Sequence, residues 1–243
     1  MSKKTDITDL DTGELALARP RATLVEVAAD KLRELILLEK LPAGAHISER
    51  DLAAALGISR TPLTRALTIL EQDGLIEYSV TRRPQVANPR LDEIEQNLIV
   101  MGALEALAGE LACACITDAE IAQVAEYQRQ IEAGDSTLSP LESFRLDMQM
   151  HEAIVQASRN APLIDTHLKF NARLWRARFQ SSQRRSGRGQ TLAEHRAIVD
   201  ALSRRDAKAT SEALRHHLAS AVTNTKNALQ KDGKAKDHNT ETE

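Results

Sequence analysis

Aromatic residues are scarce: one Trp, two Tyr and three Phe make up 2% of 243 residues. That excludes a single-strand nucleic-acid binder that stacks bases on rings. There are two cysteines, Cys113 and Cys115, too few for a disulfide scaffold. Two positions apart on a helix, they point to different sides, and free thiols suit a reducing cytosol. No secretory signal is visible, because Met1 to Pro20 is polar and has no hydrophobic run. The most apolar stretch, Leu98 to Ile116, holds Glu105 and Glu110. Two carboxylates in hydrocarbon are costly, so no membrane partner is expected and the segment reads as a buried helix. Neither sign of charge dominates: 32 Lys and Arg stand against 35 Asp and Glu, a net charge of −3. What is present suffices for a core, with 42% hydrophobic and 28% charged residues. The length suits one large or two small domains.

Regular β alternation is also nearly missing. Ala, Leu, Glu, Arg and Gln dominate, which favours helix almost throughout. The exception is Leu75 to Val86, "LIEYSVTRRPQV", where two short apolar stretches flank a basic turn and predict a small hairpin. A break near Asn88–Pro89 divides the chain. The expected organisation is a disordered segment at 1–20, a compact unit at 21–88, an all-helical unit at 89–229 and a frayed tail at 230–243. The tail is too polar to offset its ordering entropy.

In the first unit, Leu24, Val27, Ala28, Leu32, Leu35 and Ile36 suit one face of a helix. Pro42 and Gly44 break it. Ser48 with Asp51 reads as a helix start and Gly57 as its stop. "ISRTPLTRALTILEQDG" follows at once, with Ser59 or Thr61 available as cap, Pro62 tolerated in the first turn, and Leu63, Ala66, Leu67 and Leu70 as the buried stripe. Helix, tight turn, helix is an arrangement whose second helix can enter the DNA major groove. Its leading residues are Ser59, Arg60, Thr61, Thr64 and Arg65. Arginine pairs bidentately with guanine, and hydroxyls bond bases or phosphates. Arg82 and Arg83 at the hairpin tip stand where a wing would reach DNA.

In the second unit, helices are expected at 91–115, 118–133, 141–158, 160–182, 191–204 and 206–229, joined by short connections as in an antiparallel bundle. Thr117 with Glu120 reads as a capping box and Gly134 as a stop; Asp206 can cap the last helix. Asp147 and His151 lie one turn apart on the stripe Phe144, Asp147, His151, Ile154, Ser158. His195 lies inward on Leu192, His195, Ile198, Leu202, and His217 on Leu214, His217, Ala221, with His216 more outward. Buried unpaired, three imidazoles and a carboxylate are costly; a divalent ion satisfies them together. Zn is the expected metal, with Ni or Fe as alternatives. Asn171 and Arg178, on the stripe Ile164, Leu168, Asn171, Trp175, Arg178, are candidates to line a ligand cavity. Arg184, Arg185 and Arg188, with Gly187 and Gly189 among them, read as an exposed loop.

The first unit resembles the winged helix-turn-helix of GntR-type bacterial regulators over about residues 24–88, on "LPAGAHISERDLAAALGISRTPLTRALTILEQDGLIE". The resemblance implies operator-DNA contacts at Arg50, Ser59, Arg60 and Thr61. Thr64-Arg65 stands where that family usually has Arg-Glu, and Pro84 where its wing usually has Gly. Residues 91–225 resemble the FCD effector-binding domain of the FadR-like subfamily, on Asp147 and His151 followed by "ASRN", on "EHRAIVDAL" and on "ALRHHL". This implies a divalent metal on Asp147, His151, His195 and His217, and a small organic acid in a neighbouring cavity. Met101 stands where that family often places an effector-binding Arg.

The fold expected is mainly α: a winged helix-turn-helix of three helices and a small hairpin, then an antiparallel bundle. The expected function is a cytoplasmic transcription regulator, a homodimer binding double-stranded operator DNA under the control of an organic acid. Two alternatives stand beside it: a metal-dependent hydrolytic enzyme, and an architectural DNA-binding protein. Against the enzyme, Glu152 and Glu194 are adjacent in sequence to His151 and His195, and on a helix they are expected to turn away.

Overall fold

The computed structural model describes residues 23–134, 137–183 and 188–240, with side chains of the last stretch as far as 227. The expected disordered segment at 1–20 lies outside the described residues.

Three helices open the chain: α1 (Leu24–Leu37), α2 (Glu49–Leu56) and α3 (Arg60–Gln72). Thr23 and Glu26 cap α1 reciprocally. Ser48 accepts from the Asp51 N–H at the start of α2, and Gly57 ends α2 in the left-handed region at φ 66°, which costs glycine little. Ser59 occupies the cap position of α3 by backbone angles, but its side chain makes no capping hydrogen bond. Its hydroxyl stays exposed instead. The buried stripe of α3 is the expected one, Leu63, Ala66, Leu67 and Leu70. That of α1 is rotated: Ala28, Ala29, Leu32, Ile36 and Leu37 are buried, whereas Leu24 and Val27 are exposed. The first turn of α1 overhangs the unit, and the core begins at Ala28.

The hairpin pairs β1 (Ile76–Tyr78) with β2 (Pro84–Val86), with Ile76 opposite Val86. Pro84 starts its strand, a position that tolerates a missing donor. The segment after α1 lies along β2, with the Ile47 N–H donating to Pro84 O and the Val86 N–H to Ala45 O. Leu32, Ile36, Leu63, Leu67, Leu70, Ile76 and Val86 form one core.

Six helices follow: α4 (Leu91–Ala112), α5 (Asp118–Ala133), α6 (Pro140–Ala157), α7 (Ala161–Ser182), α8 (Arg188–Ser203) and α9 (Ala207–Thr240). The caps are largely those expected. Thr117 and Glu120 form the expected capping box, and Asp206 accepts from the Ala209 N–H; Asn160, not singled out as a cap in the sequence, accepts from the Leu163 N–H. Gly134 ends α5 without a left-handed turn, at φ −84°. Helix α9 runs past the expected end at 229, and the tail expected at 230–243 falls where side chains are not described. Helices α4 and α9 meet through small residues. A Cβ on Gly109 would stand 2.3 Å from Leu214 Cδ1, and one on Gly102 3.2 Å from Leu218 Cβ. Met150, Ile154, Ile198, Leu202 and Leu214 fill the space between α6, α8 and α9.

Half of the scarce aromatic side chains sit at one joint. Phe144 meets Trp175 and Phe179 edge to face, at 5.7 and 5.3 Å between ring centroids. Leu37 of α1 is buried in the same cluster, so the first unit packs directly on α6 and α7. Gln180 donates to Glu39 (2.6 Å) across this joint, and Gly74 lies against the Arg173 side chain.

Candidate metal centre and nucleic-acid interface

Helices α6, α8 and α9 bring His151, His195 and His217 together. Their ring centroids are 4.6 to 5.7 Å apart. Ligand atoms of all three lie within 4.8 Å of one another, and all three residues are buried. Asp147, one turn before His151, places Oδ1 3.2 Å from His195 Nε2 and 3.8 Å from His151 Nε2. The four residues singled out from the sequence thus converge.

The reverse sides of the rings fix what the inner sides can do. His151 Nδ1 lies 2.5 Å from Glu105 Oε2, His195 Nδ1 3.0 Å from Gln128 Oε1 and His217 Nδ1 3.0 Å from Glu194 Oε2. Gln128 Nε2 donates to Glu132, which turns its oxygen toward the ring. Each Nδ1 therefore donates its proton outward and leaves an Nε2 lone pair inside. Both His151 Nε2 and His195 Nε2 are buried without a hydrogen-bond partner among the described residues. A lone pair facing a carboxylate oxygen at 3.2 Å is repulsive unless a cation lies between. Metal-binding imidazoles ordinarily donate their other N–H to such acceptors, which fixes the ring for the ion. The residues present fit a divalent ion.

Charge agrees with this. Burial, with the neighbouring His217, pushes His195 down to about 3, and burial lowers His217 as well; both are neutral near pH 7. Burial pushes Asp147 up, but positive charge at His195, His151 and Arg178 would outweigh it and hold it low; with His195 neutral, Arg178 is a cation that remains. Glu105 is held well below the usual range against its burial by His151, His167 and Arg178. Glu194 is held at about 2, against its burial, by hydrogen bonds from His217, Ser220 and Gln190. Glu105 and Glu194 are buried, with Arg178 the one buried guanidinium among the described residues, while Asp147 and Arg188 stand half-buried on the cavity wall.

A cavity of about 400 Å³ opens over the cluster, lined by Asp147, His195, His217, Arg178, Phe144 and Thr225 among others. Arg178 is buried and lies 3.7 Å from Glu105 Oε1. Asn171 does not line this cavity. It stands behind, accepting from Arg178 Nη1 at 3.0 Å, and so orients the guanidinium. The inward stripe of α7 is Leu163, His167, Asn171, Leu174 and Arg178. Leu168 is exposed, because α7 packs on α4 and α9 through the face one residue back. Arg188 is not in an exposed loop either. It opens α8, donates to Ser143 Oγ (3.2 Å) and lines the cavity; Arg184 and Arg185 lie outside the described residues. Glu194 does not turn away: it is buried and bonded to His217. The sequence stripe missed it because α8 packs on two sides, against α5 and α9. Glu105 and His167 were missed as well. Glu105 was read only as an obstacle to membrane insertion, yet a carboxylate inside the most apolar helix needs a buried partner, and that was the available signal.

On the first unit, Arg50, Ser59, Arg60, Thr61, Thr64 and Arg65 are all exposed around the start of α3. Thr64 Oγ1 lies 3.0 Å from Glu49 Oε2 and ties α3 to α2. Arg82 and Arg83 are exposed at the hairpin tip, Arg82 at φ 56°. No helix among the described residues is long and apolar enough to cross a membrane.

Comparison with known proteins agrees with both halves. The model of the bacterial regulatory proteins of the gntR family matches residues 24–86, and that of the FCD domain residues 98–220. An uncharacterized HTH-type transcriptional regulator in an unstable DNA locus of Streptomyces ambofaciens is 29% identical over 193 residues, covering 77% of this chain and 79% of that protein. The Glc operon transcriptional activator of Escherichia coli K12 is 28% identical over 229 residues, covering 84% and 89%. The transcriptional repressor RspR of the same organism is 25% identical over 189 residues, covering 77% and 82%. A putative transcriptional regulator GntR from Rhodococcus sp. RHA1 shares the fold at a TM-score of 0.69 and 21% identity, covering 84% of this chain and 98% of that one. E. coli McbR/YncC does so at 0.66 and 22%, covering 87% and 99%. A winged helix-turn-helix ahead of a helical domain is thus matched segment by segment: the chain belongs to the GntR family of bacterial DNA-binding transcription regulators and carries an FCD domain.

Proposed function

We propose that this regulator senses a small organic acid through a divalent ion in its helical domain and changes its grip on operator DNA in response. The observation that carries the reading is the set of inward Nε2 lone pairs facing Asp147 beneath an open cavity. Asp147, His151, His195 and His217 would hold the ion, with Zn the first candidate and Ni or Fe the others. A divalent ion bound there supplies a Lewis-acidic anchor for a carboxylate oxygen. Arg178, oriented by Asn171, adds a guanidinium to the same end. Phe144 lines the cavity and also packs on Leu37 of α1. A ligand that repositions Phe144 therefore acts on the seat of the DNA-reading unit, by as much as its affinity differs between the two seatings.

On DNA, Arg60, Thr61, Thr64 and Arg65 read base edges from the N-terminal end of α3, with Ser59 and Arg50 at the phosphates and Arg82 and Arg83 as the wing. Two copies joined through their helical domains present two such helices to a short inverted repeat. Ile99, Val100 and Leu107 on α4, with Leu168 on α7, are exposed apolar side chains that support this pairing. Leu107→Glu is expected to shift the protein from dimer to monomer in analytical ultracentrifugation; a persistent dimer moves the interface elsewhere. The site of action is the cytoplasm, where operator DNA is reached.

A hydrolase finds less support. Glu194, which lines the cavity and touches His217, is held at about 2 by hydrogen bonds from His217, Ser220 and Gln190, too weak a base at neutral pH. A metabolite screen by thermal stabilisation, with and without chelator, separates the readings. A chelator-sensitive hit without turnover supports the sensor. Turnover supports the enzyme, and a silent screen the architectural protein.

A further inference from the structure

We propose that the cavity over the histidine cluster selects an acid that carries a hydroxyl at the end remote from its carboxylate, and that Thr225 makes that selection. The proposal rests on the acid-sensing reading above. Its starting point is a hydroxyl with no hydrogen-bond partner among the described residues. Thr225 is 1% exposed and lines the cavity, and the hydroxyl is its Oγ1. Several hydroxyls inside helices elsewhere in the chain turn back to the carbonyl four residues earlier. Thr68 does so at 3.0 Å, Thr166 at 2.7 Å, Ser203 at 2.7 Å and Thr223, two residues away on the same helix, at 3.3 Å. Thr225 forgoes that bond. A buried hydroxyl left unpaired is costly, and a partner arriving from the cavity removes the cost.

Its position defines the ligand. His217, Ala221 and Thr225 follow one another at four-residue intervals down one face of α9, and all three line the cavity. Eight residues of helix separate the imidazole from the hydroxyl by ~12 Å. Arg178 stands at the histidine end, because one carboxylate, Glu105, touches His151 and approaches Arg178 at 3.7 Å; the other guanidinium of the lining, Arg188, is already engaged with Ser143 Oγ at 3.2 Å. Carboxylate and hydroxyl contacts thus lie at opposite ends. Between them the wall is mixed, with Phe144 and Leu192 apolar and Ser181 polar, which suits a short methylene chain. A plain fatty acid would cover Thr225 and leave its hydroxyl dry.

The test uses the full-length, Zn-loaded protein in titration calorimetry. The probes are ω-hydroxy acids from hydroxybutyrate to hydroxyhexanoate, with the matching plain acids and dicarboxylates. In the unaltered protein the best-fitting ω-hydroxy acid is expected to bind about 10-fold tighter than its plain counterpart. In Thr225→Val, which keeps shape and metal content, that preference falls to parity while plain-acid affinity holds. The ligand-free Tm of Thr225→Val rises, because an unpaired hydroxyl is gone; a folding defect would lower it. A preference that survives in Thr225→Val, or plain acids or dicarboxylates binding tightest in the unaltered protein, overturns the selection by Thr225 and leaves acid sensing intact. Failure of every acid to bind overturns both.

Discussion

Arg60 and Glu194 show how differently single residues declare themselves. Arg60 is exposed at the first position of α3 and packs against nothing that stability needs. Arg60→Ala is therefore expected to abolish operator binding in a gel shift at fixed salt while the thermal unfolding curve stays in place. Binding at the original strength would remove α3 from the interface. Glu194 is the opposite case, a buried carboxylate whose role lies in holding His217. Glu194→Gln keeps the size but weakens the acceptor, and about a 10- to 100-fold loss of metal affinity is expected by competition titration. Arg60 was legible in the sequence because a helix start with basic and hydroxyl residues is a local pattern. Glu194, Glu105 and Gln128 were not, since each backs a histidine on another helix, and no spacing within one segment encodes that. The four inward ligands were legible only as polar interruptions of apolar stripes.

Helices were legible where their caps are chemical. Thr117 reads so in the sequence, while Ser139 and Asn160, not singled out there as caps, also start helices with a side-chain hydrogen bond; Asn160→Ala is expected to cost about 1 kcal/mol in denaturant unfolding. Glu120 accepts from Thr117 and Arg159, and the Thr117 hydrogen bonds chiefly hold its carboxyl at about 2, below the ordinary 4.5 of a glutamate. A carboxyl lowered by folding contributes stability that is complete above its unfolded value and is lost as pH falls through the folded one. The stability gap between the protein and Glu120→Gln is thus expected to close between pH ~4.5 and ~2. A gap independent of pH would show that the carboxylate charge contributes nothing there. What the sequence hid at this scale is the rotation of stripes, as in α1 and α7, and the close approach of α4 to α9. Gly109→Ala gains helix propensity of about 1 kcal/mol, but its methyl group would collide with Leu214 and Thr210. Net destabilisation of about 1–2 kcal/mol is expected, against a near-neutral Gly102→Ala.

For the molecule as a whole, the division into a DNA-reading unit and a helical unit follows from composition, but their joint does not. The cluster of Leu37 with Phe144 and Phe179 is a tertiary fact: Trp175 and Phe179 lie one turn apart on α7, but Leu37 and Phe144 come from other helices and no spacing announces their meeting. If this joint carries the response, Leu37→Ala keeps its metal and its operator but loses most of the change in operator affinity that an acid produces. Both units nevertheless depend on one premise, that the helical half closes around a cation. Elemental analysis of protein purified without added metal, set beside His195→Ala, tests it directly. The account predicts one divalent ion per chain in the first and its loss in the second, with the helix content of the two matching. Equal metal content in both, or none in either after Zn is supplied, contradicts it.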